Sequence, residues 1–186
     1  MKEIDDYINT IRNFISVSKL AYDAWWSLAG ENSKDYEHIS KKFPTHFGIS
    51  KHSYLNTLII TLYMTLENKN ETVNIRKLVK LIKSVKKFKP DNIRTIEKEI
   101  EKSEIIWKKI CIVRSNQFAH FNYGLSLSGV FAKADIKPVE FKEFISQLES
   151  IMNYISNIYN GSTHAFNSDN KYSTKQFMDS LIKQKE

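Results

Sequence analysis

This sequence predicts an all-α fold, an up-and-down bundle of four to five helices in a single domain. Five glycines and three prolines in 186 residues leave few positions that would break a helix, so long helices are favoured over many short strands. Apolar side chains make up 41% of the chain, enough for a real core at this length, and they recur at helical spacing. The helical domain is predicted over residues 1–160, and residues 161–186 form a polar tail with at most a short helix near 174–183.

The first two helices follow from the spacing of their apolar residues. Residues 2–29 carry apolar side chains at a helical period, and Gly30 is a natural stop. Residues 31–50 are polar and contain a proline and a glycine, which indicates a loop with room for one short helical turn. Helical character resumes over residues 54–66.

A third helix, predicted over residues 73–88, carries the whole charge excess of the chain. The segment between Thr72 and Pro90 holds seven basic residues and no acidic one. The chain has 28 basic and 21 acidic residues, so the basic residues outside this segment are equal in number to the acidic ones. At about 100° per residue, one face of this helix presents four of the basic side chains: Arg76, Lys80, Lys83 and Lys87. Such a face predicts a polyanionic partner such as RNA, and its alternative is a merely solvated lysine-rich surface.

The last two long helices begin at prolines. Residues 90–122 form the fourth helix, which is apolar nearly all round between Ile105 and Val113. This pattern predicts burial on two sides, by the bundle and, as one option, by a second subunit. Residues 124–137 are predicted to be a loop, and the fifth helix then runs from Pro138 to an Asn-Gly stop at 160–161.

Arg114 and His120 close the fourth helix and are the candidate chemical groups. An arginine that interrupts an apolar run loses hydration unless it meets a carboxylate, a carbonyl or a phosphate. A histidine is the side chain best suited to move protons near neutral pH. Together they predict a site that handles phosphate. On an ideal helix His120 shares its face with Asn116 and Tyr123, which could orient the imidazole.

The spacing of Arg114 and His120 limits how they can cooperate. In an ideal helix their Cα atoms lie about 9 Å apart along the axis and about 120° apart around it, so they do not share one face. Three arrangements would still form one site. The arginine side chain wraps toward the histidine, the helix ends or bends between them, or a second copy of the chain completes the site.

The heptapeptide from Arg114 to His120, Arg-Ser-Asn-Gln-Phe-Ala-His, resembles the R-x(4–6)-H motif of HEPN domains. It is most similar to the AbiU-type abortive-infection branch, in which phenylalanine-alanine-histidine follows the arginine. The resemblance extends to the Ala-Tyr-Asp-Ala-Trp-Trp segment at 21–26 and to the closing amphipathic helix. Two positions depart from the pattern: Ser115 stands where many HEPN proteins have Asn, Asp or His, and Tyr123 follows the histidine by three residues instead of two.

The resemblance implies a homodimeric bundle that cleaves RNA without a metal, as a toxin or an abortive-infection effector. In that role His120 would act as general base on the ribose 2′-hydroxyl or as general acid on the leaving 5′-oxygen. Arg114 would hold the scissile phosphate and stabilise charge on its oxygens. Asn116 would orient these groups, and Tyr123 would donate its hydroxyl. The resemblance also implies a cognate antitoxin as protein partner.

No cofactor or metal site is predicted. The chain has no glycine-rich phosphate loop, and its remaining histidines lack metal-ligand spacing. These histidines are His38, His46, His52 and His164. Cys111 lies in an apolar run, which indicates a small buried side chain instead of a nucleophile. A single cysteine, the absence of a leader-like start and the absence of any membrane-length apolar stretch predict a cytoplasmic protein without a membrane segment.

Two further functions compete with RNA cleavage. One is a non-catalytic helical dimer that binds RNA, a nucleotide or a protein through the same cleft and the basic helix. The other is a plain interaction module in which Arg114 clamps an acid such as Glu104, or a loop backbone.

Overall fold

The computed structural model describes residues 2–69, 71–119, 126–166 and 170–183, and the regular secondary structure in these ranges is helical throughout. The prediction of an all-α fold is therefore confirmed. The described α-helices are α1 (Lys2–Ala29), α2 (Glu37–Lys42), α3 (Pro44–Leu66), α4 (Ile75–Ile82), α5 (Pro90–Arg114), α6 (Leu127–Ala134), α7 (Pro138–Asn160) and α8 (Asn170–Lys183). A 3₁₀ helix at Glu31–Tyr36 precedes α2, and a π-helical segment at Ser115–Ala119 follows α5.

Four long helices, α1, α3, α5 and α7, form the body of the bundle. Helix α1 packs against α3, α7, α4 and α8, whereas α5 packs against α3, α7 and α6. The residues between them are fully buried isoleucines, leucines and phenylalanines, among them Ile11, Leu58, Ile110, Phe141 and Phe144. Each such side chain stabilises the fold by about 1.5–3 kcal/mol relative to an exposed one, which is why these helices hold together.

Helices α1 and α7 run antiparallel, and the segment after α7 returns along α1. Lys19 of α1 pairs with Glu149 of α7 at 3.5 Å. Nearer the start of α1, Arg12 donates from Nη2 to the hydroxyl of Ser162 at 3.3 Å. Ser162 lies just beyond the end of α7. Residue numbers therefore rise along α1 as they fall along α7. The chain turns at Gly161, whose φ of +73° lies in the left-handed region that glycine adopts without strain.

The ends of the helices follow the local rules of the sequence. Asn74 caps α4, accepting from the backbone N–H of Lys77 at 2.9 Å. Pro90 and Pro138 each start a helix at its first turn. Helix α1 ends just before Gly30, a position at which a larger residue would clash. A Cβ atom there would lie 2.6 Å from the carbonyl oxygen of Trp26 and 2.7 Å from its indole ring.

Two predicted loops contain helices. Residues 31–50 hold the 3₁₀ helix, α2 and the first turns of α3, and residues 124–137 hold α6. The first region supplies the buried Tyr36, Ile39 and Phe47 of a second, smaller core. Its apolar residues are too sparse to show a period. They become a core only because Leu28 and α8 cover them from outside the segment.

Helix α8 packs against α1 and belongs to this second core. Its Met178 is 1% exposed. The Tyr36 hydroxyl donates to the Asp179 carboxylate at 2.9 Å. Burial, and then this carboxylate, raise the pKa of Tyr36 to about 12. The described part of the tail is thus held to the bundle by an apolar side chain and a hydrogen bond. Among the described helices, none is both long enough and apolar enough to cross a bilayer.

Candidate functional site at the end of helix α5

The α-helical part of α5 ends at Arg114, and the backbone continues as a π-helix through Ala119. A π-helical turn closes hydrogen bonds over five residues and is frequent at functional sites. The fourth helix was predicted to run to about residue 122, and in the described part its winding changes from α to π at Ser115. Which of the three arrangements brings Arg114 and His120 together lies outside the described residues. His120 and Tyr123 themselves lie outside the described residues.

Arg114 is half-buried and lies against the aromatic ring of Tyr63, a residue of α3. The central carbon of its guanidinium is 4.5 Å from the centroid of that ring. A cation over a ring face at this distance is attracted by the ring quadrupole. Within the described ranges, no carboxylate forms an ion pair with Arg114. Tyr63 thus orients the guanidinium without cancelling its charge.

Tyr63 is itself fixed by Trp107 of α5. The two rings stack with centroids 6.0 Å apart and planes 17° apart. The indole N–H of Trp107 donates to the backbone carbonyl of Tyr63 at 3.1 Å. We call this pair the aromatic shelf. Because both rings are held by packing and by a hydrogen bond, Arg114 rests on a rigid support.

At the other side of the shelf, Arg76 of α4 lies 5.7 Å from the Trp107 ring. It pairs with Glu104 at 2.7 Å, and its Nε donates to the carbonyl of Leu66 at 3.0 Å. A clamp on Glu104 or on a loop backbone was one interpretation of Arg114. In the structure Arg76 makes both contacts. Its position on α4, opposite the end of α3, places it within reach of both groups.

Two titratable groups border Arg114. Burial and the neighbouring Glu67 carboxylate raise the pKa of Tyr63, and the Arg114 cation only partly opposes them. Burial likewise raises the pKa of Cys111 to about 11, against the pull of Arg114 and Arg76. Both groups are therefore neutral at physiological pH. A protonated, half-buried Cys111 is a poor nucleophile, as its sequence context predicts.

Asn116 lies in the π-helical segment and is engaged on both sides of its amide. Its Nδ2 donates to the carbonyl of Ile112 at 2.7 Å, and its Oδ1 accepts from Lys133 of α6 at 2.8 Å. Lys133 is an exposed cation that the sequence did not assign to this site. It was missed because α6 was predicted to be a loop. The proposed contact of Asn116 with His120 lies outside the described residues.

The four basic residues predicted to bind RNA do not form one open face. Arg76 pairs with Glu104, and Lys83 pairs with Glu97 at 2.7 Å. Lys87 donates to the carbonyl of Tyr159 at 2.9 Å. Lys80 is exposed and borders a groove between α4 and α5, which Arg76 and Lys83 also line. The basic segment has no acid of its own, but α5 brings acids to it. Of the four, Arg76 is the one that reaches the aromatic shelf.

In the part of the chain that the structure describes, no cluster of three or more His, Cys, Asp or Glu side chains could hold a metal ion. The guanidinium of Arg114 is a group that binds anions, and phosphate is an anion to which a guanidinium is well matched in shape.

The molecule is thus a helical bundle in which α5 ends in an arginine that lies on an aromatic shelf and pairs with no carboxylate of the described residues. Residues 1–179 match the family of AbiU2-type HEPN domains, and the chain belongs to this family. The resemblance to the AbiU-type branch of HEPN domains is thereby confirmed, and with it an abortive-infection-related type of domain. No curated protein and no solved structure matches the chain.

Proposed function

We propose that this protein is a metal-independent endoribonuclease of the toxin or abortive-infection type, in which Arg114 and His120 act on an RNA phosphodiester. The observation that carries the proposal is the state of Arg114. Its guanidinium is held at 4.5 Å over the Tyr63 ring, is half-buried, and forms no ion pair with a described carboxylate. A charge arranged in this way is available to a phosphate.

The chemistry needs one group for charge and at least one for protons. The ribose 2′-oxygen attacks phosphorus, the bond to the 5′-oxygen breaks, and the products are a 2′,3′-cyclic phosphate and a 5′-hydroxyl. A proton leaves the 2′-hydroxyl and another reaches the 5′-oxygen. His120 performs one of these transfers, solvent water performs the other, and Arg114 stabilises the charge that develops on the non-bridging oxygens. Asn116 orients the reacting groups, and Tyr123 donates its hydroxyl to them.

The rigid support of Arg114 contributes to the rate. A guanidinium that must be ordered in the transition state loses conformational entropy at that moment, whereas one already held by Tyr63 does not. The contact with the ring is worth about 0.5–2 kcal/mol, depending on how far it is desolvated. Tyr63 stays neutral because its pKa is raised, so it does not place a second charge beside the phosphate.

RNA binding rests on basic side chains beyond the cleavage point. Of Arg76, Lys80, Lys83 and Lys87, we expect Lys80 to contribute most, because it is exposed and borders the groove between α4 and α5. Lys83 would first have to leave Glu97. Such contacts to the RNA backbone weaken with salt and carry little sequence preference. We propose the cytoplasm as the site of action, with a second copy of the chain and an antitoxin as protein partners.

The test is cleavage of structured and unstructured RNA by the full chain in EDTA. We expect the wild type to leave cyclic-phosphate ends, and His120→Ala and Arg114→Ala each to lose at least about a hundredfold in rate. The matched controls are His52→Ala and Arg94→Ala, which change exposed residues on α3 and α5 and should keep full activity. Full activity in both site variants would overturn the proposal. Salt-dependent RNA binding without cleavage would instead favour the non-catalytic binding module.

A further inference from the structure

A second candidate site lies along α1, and none of its lining residues belongs to the aromatic shelf that supports Arg114. It is a surface pocket of about 240 Å³ between α1 and the segment that returns after α7. Its lining consists of Asn9, Arg12, Asn13, Ser16 and His164. All five side chains can donate a hydrogen bond, and none is a carboxylate. A pocket made of donors and a guanidinium is complementary to an anion.

Arg12 is under-used by the protein itself. Its Nη2 has one long hydrogen bond, 3.3 Å to the Ser162 hydroxyl, and its Nε is buried without a partner. No carboxylate of the described residues forms an ion pair with it. A guanidinium carries five N–H donors, and a buried donor without an acceptor destabilises the fold. Partial burial also lowers the pKa of Arg12. These features leave the guanidinium able to accept an oxyanion.

The returning segment is fixed in place by three separate contacts. Asn153 of α7 exchanges two hydrogen bonds with the backbone of His164, at 2.9 and 3.1 Å. Lys19 donates to the carbonyl of Phe166 at 2.7 Å. Phe166 is buried and has a φ of +40°, a conformation that a bulky residue keeps only where its surroundings enforce it. His164 packs edge-on against its ring, with centroids 4.4 Å apart. The pocket is therefore preformed.

We propose that this pocket binds a phosphate group, with Arg12 as the principal ligand and His164, Asn13 and Ser16 as further donors. Phosphate is favoured over a carboxylate because it offers oxygens in several directions, and the donors surround the pocket from two chain segments. The site is independent of the proposed cleavage chemistry, since none of its residues belongs to the aromatic shelf or is Arg114 itself.

The test is calorimetric titration of the full chain with inorganic phosphate in a chloride buffer at constant ionic strength. We expect a saturable site that persists in Arg114→Gln and loses about tenfold or more in affinity in Arg12→Gln. Arg94→Gln removes an exposed arginine from α5 and should bind phosphate as the wild type does. Binding to Arg12→Gln with unchanged affinity, or no saturable binding to the wild type, would overturn the proposal.

A second variant protects the test against misfolding. Asn13 is exposed, so Asn13→Asp should fold normally while placing a carboxylate in the pocket. We expect it to weaken phosphate binding by about the same factor as Arg12→Gln, because the new carboxylate and the phosphate would repel each other within one pocket. Unaltered binding would place the phosphate elsewhere and overturn the proposal. Titration with adenosine 5′-monophosphate identifies the source of the group. Equal affinity means that the phosphate alone is bound, and higher affinity means that the phosphate of a nucleotide or of an RNA end is preferred.

Discussion

The guanidinium of Arg114 lies 4.5 Å from the ring centroid of Tyr63. The candidate phosphate ligand of this bundle is therefore positioned by an aromatic ring instead of an acid. An acid would hold the arginine as firmly, but it would also compete with phosphate for the same N–H groups. A ring leaves the edge of the guanidinium free for an oxyanion. The Arg114–Tyr63 contact therefore combines fixed geometry with a usable charge.

The first prediction concerns this contact. Tyr63→Leu removes the ring, and we expect kcat for RNA cleavage to fall by about 2- to 30-fold, which corresponds to the about 0.5–2 kcal/mol of a cation–π contact. Tyr63→Phe keeps the ring and should retain kcat within about twofold. Single-turnover rates at saturating RNA, measured well below the melting temperature, separate this effect from RNA affinity.

Tyr54→Leu is the matched control for the leucine variant. Tyr54 is exposed on the same helix and lies away from Arg114, so its loss should leave kcat unchanged. Equal rates for Tyr63→Leu and Tyr63→Phe would mean that the ring does not position Arg114. A low rate in both would point to the hydroxyl and to its neighbour, the buried Glu67.

The second prediction is a homodimer that uses the exposed side of α5. Ile105 and Ile112 are 66% and 38% exposed, and two full turns separate them on one helix face. The sequence predicts burial on two sides for this stretch, and a single chain buries only one side, through Ile106, Ile110 and Val113. Sedimentation should give about twice 21.8 kDa. Ile105→Glu with Ile112→Glu should give a monomer.

Ile49→Glu controls for the added charge. Ile49 is as exposed as Ile105 but lies on α3, so this variant should remain dimeric. A wild-type chain that sediments as a monomer at tens of micromolar would contradict a dimer through α5. A double variant that stays dimeric would place the contact on another face.

The long helices could be predicted from the sequence because their signals are local. Helix α1 runs from Lys2 to Ala29 and α7 from Pro138 to Asn160, as the apolar period, the prolines and Gly161 indicate. Helix α6 gives no such signal. It has eight residues and is held by the burial of Val130 and Ala134 against neighbouring helices, and tertiary contacts of this kind cannot be found in a local window.

The candidate site, too, could be predicted from the sequence only in part. Arg114 could be found because a charged residue interrupts an apolar face of its own helix. Its support could not be found, because Tyr63 and Trp107 are 44 residues apart and meet only when α3 packs on α5. The basic segment between Thr72 and Pro90 misleads for a related reason. The acids that pair with Arg76 and Lys83 come from α5, outside the segment.

The third prediction tests the steric reason for Gly30. Gly30→Ala would place a Cβ within 2.6–2.8 Å of the backbone and ring of Trp26, so we expect a loss of about 1–3 kcal/mol in the free energy of unfolding. Gly48→Ala is the control. Gly48 lies inside α3 with nothing within 4 Å of its Cβ position, and alanine there should stabilise by about 0.5–1 kcal/mol. Chemical denaturation measures both changes. Equal stability of the two variants would show that Trp26 moves aside.

The fourth prediction uses Cys111 to detect the charge of Arg114. Burial raises the pKa of this thiol from 9.0 to about 11, which lowers its thiolate fraction at pH 8 about a hundredfold relative to the unfolded chain. Disulfide exchange with an aromatic reagent should slow by about tenfold in the folded protein, because a thiolate of higher pKa is also more nucleophilic and offsets part of the loss. Because the folded pKa is the higher one, the thiol supports folding fully below about pH 9, and this contribution is lost as the pH rises through about 11.

Arg114 lowers the pKa of Cys111 and is the larger of the two nearby cationic influences. Arg114→Gln should therefore raise the pKa further and slow the thiol reaction again, whereas Arg94→Gln, which changes an exposed arginine on the same helix, should leave the rate unchanged. The pH profile of the reaction distinguishes a shifted pKa from a change in access, because access alters the rate at every pH by the same factor. A rate that rises in Arg114→Gln, with the same pKa, would mean that the arginine covers the thiol and that its charge is directed elsewhere.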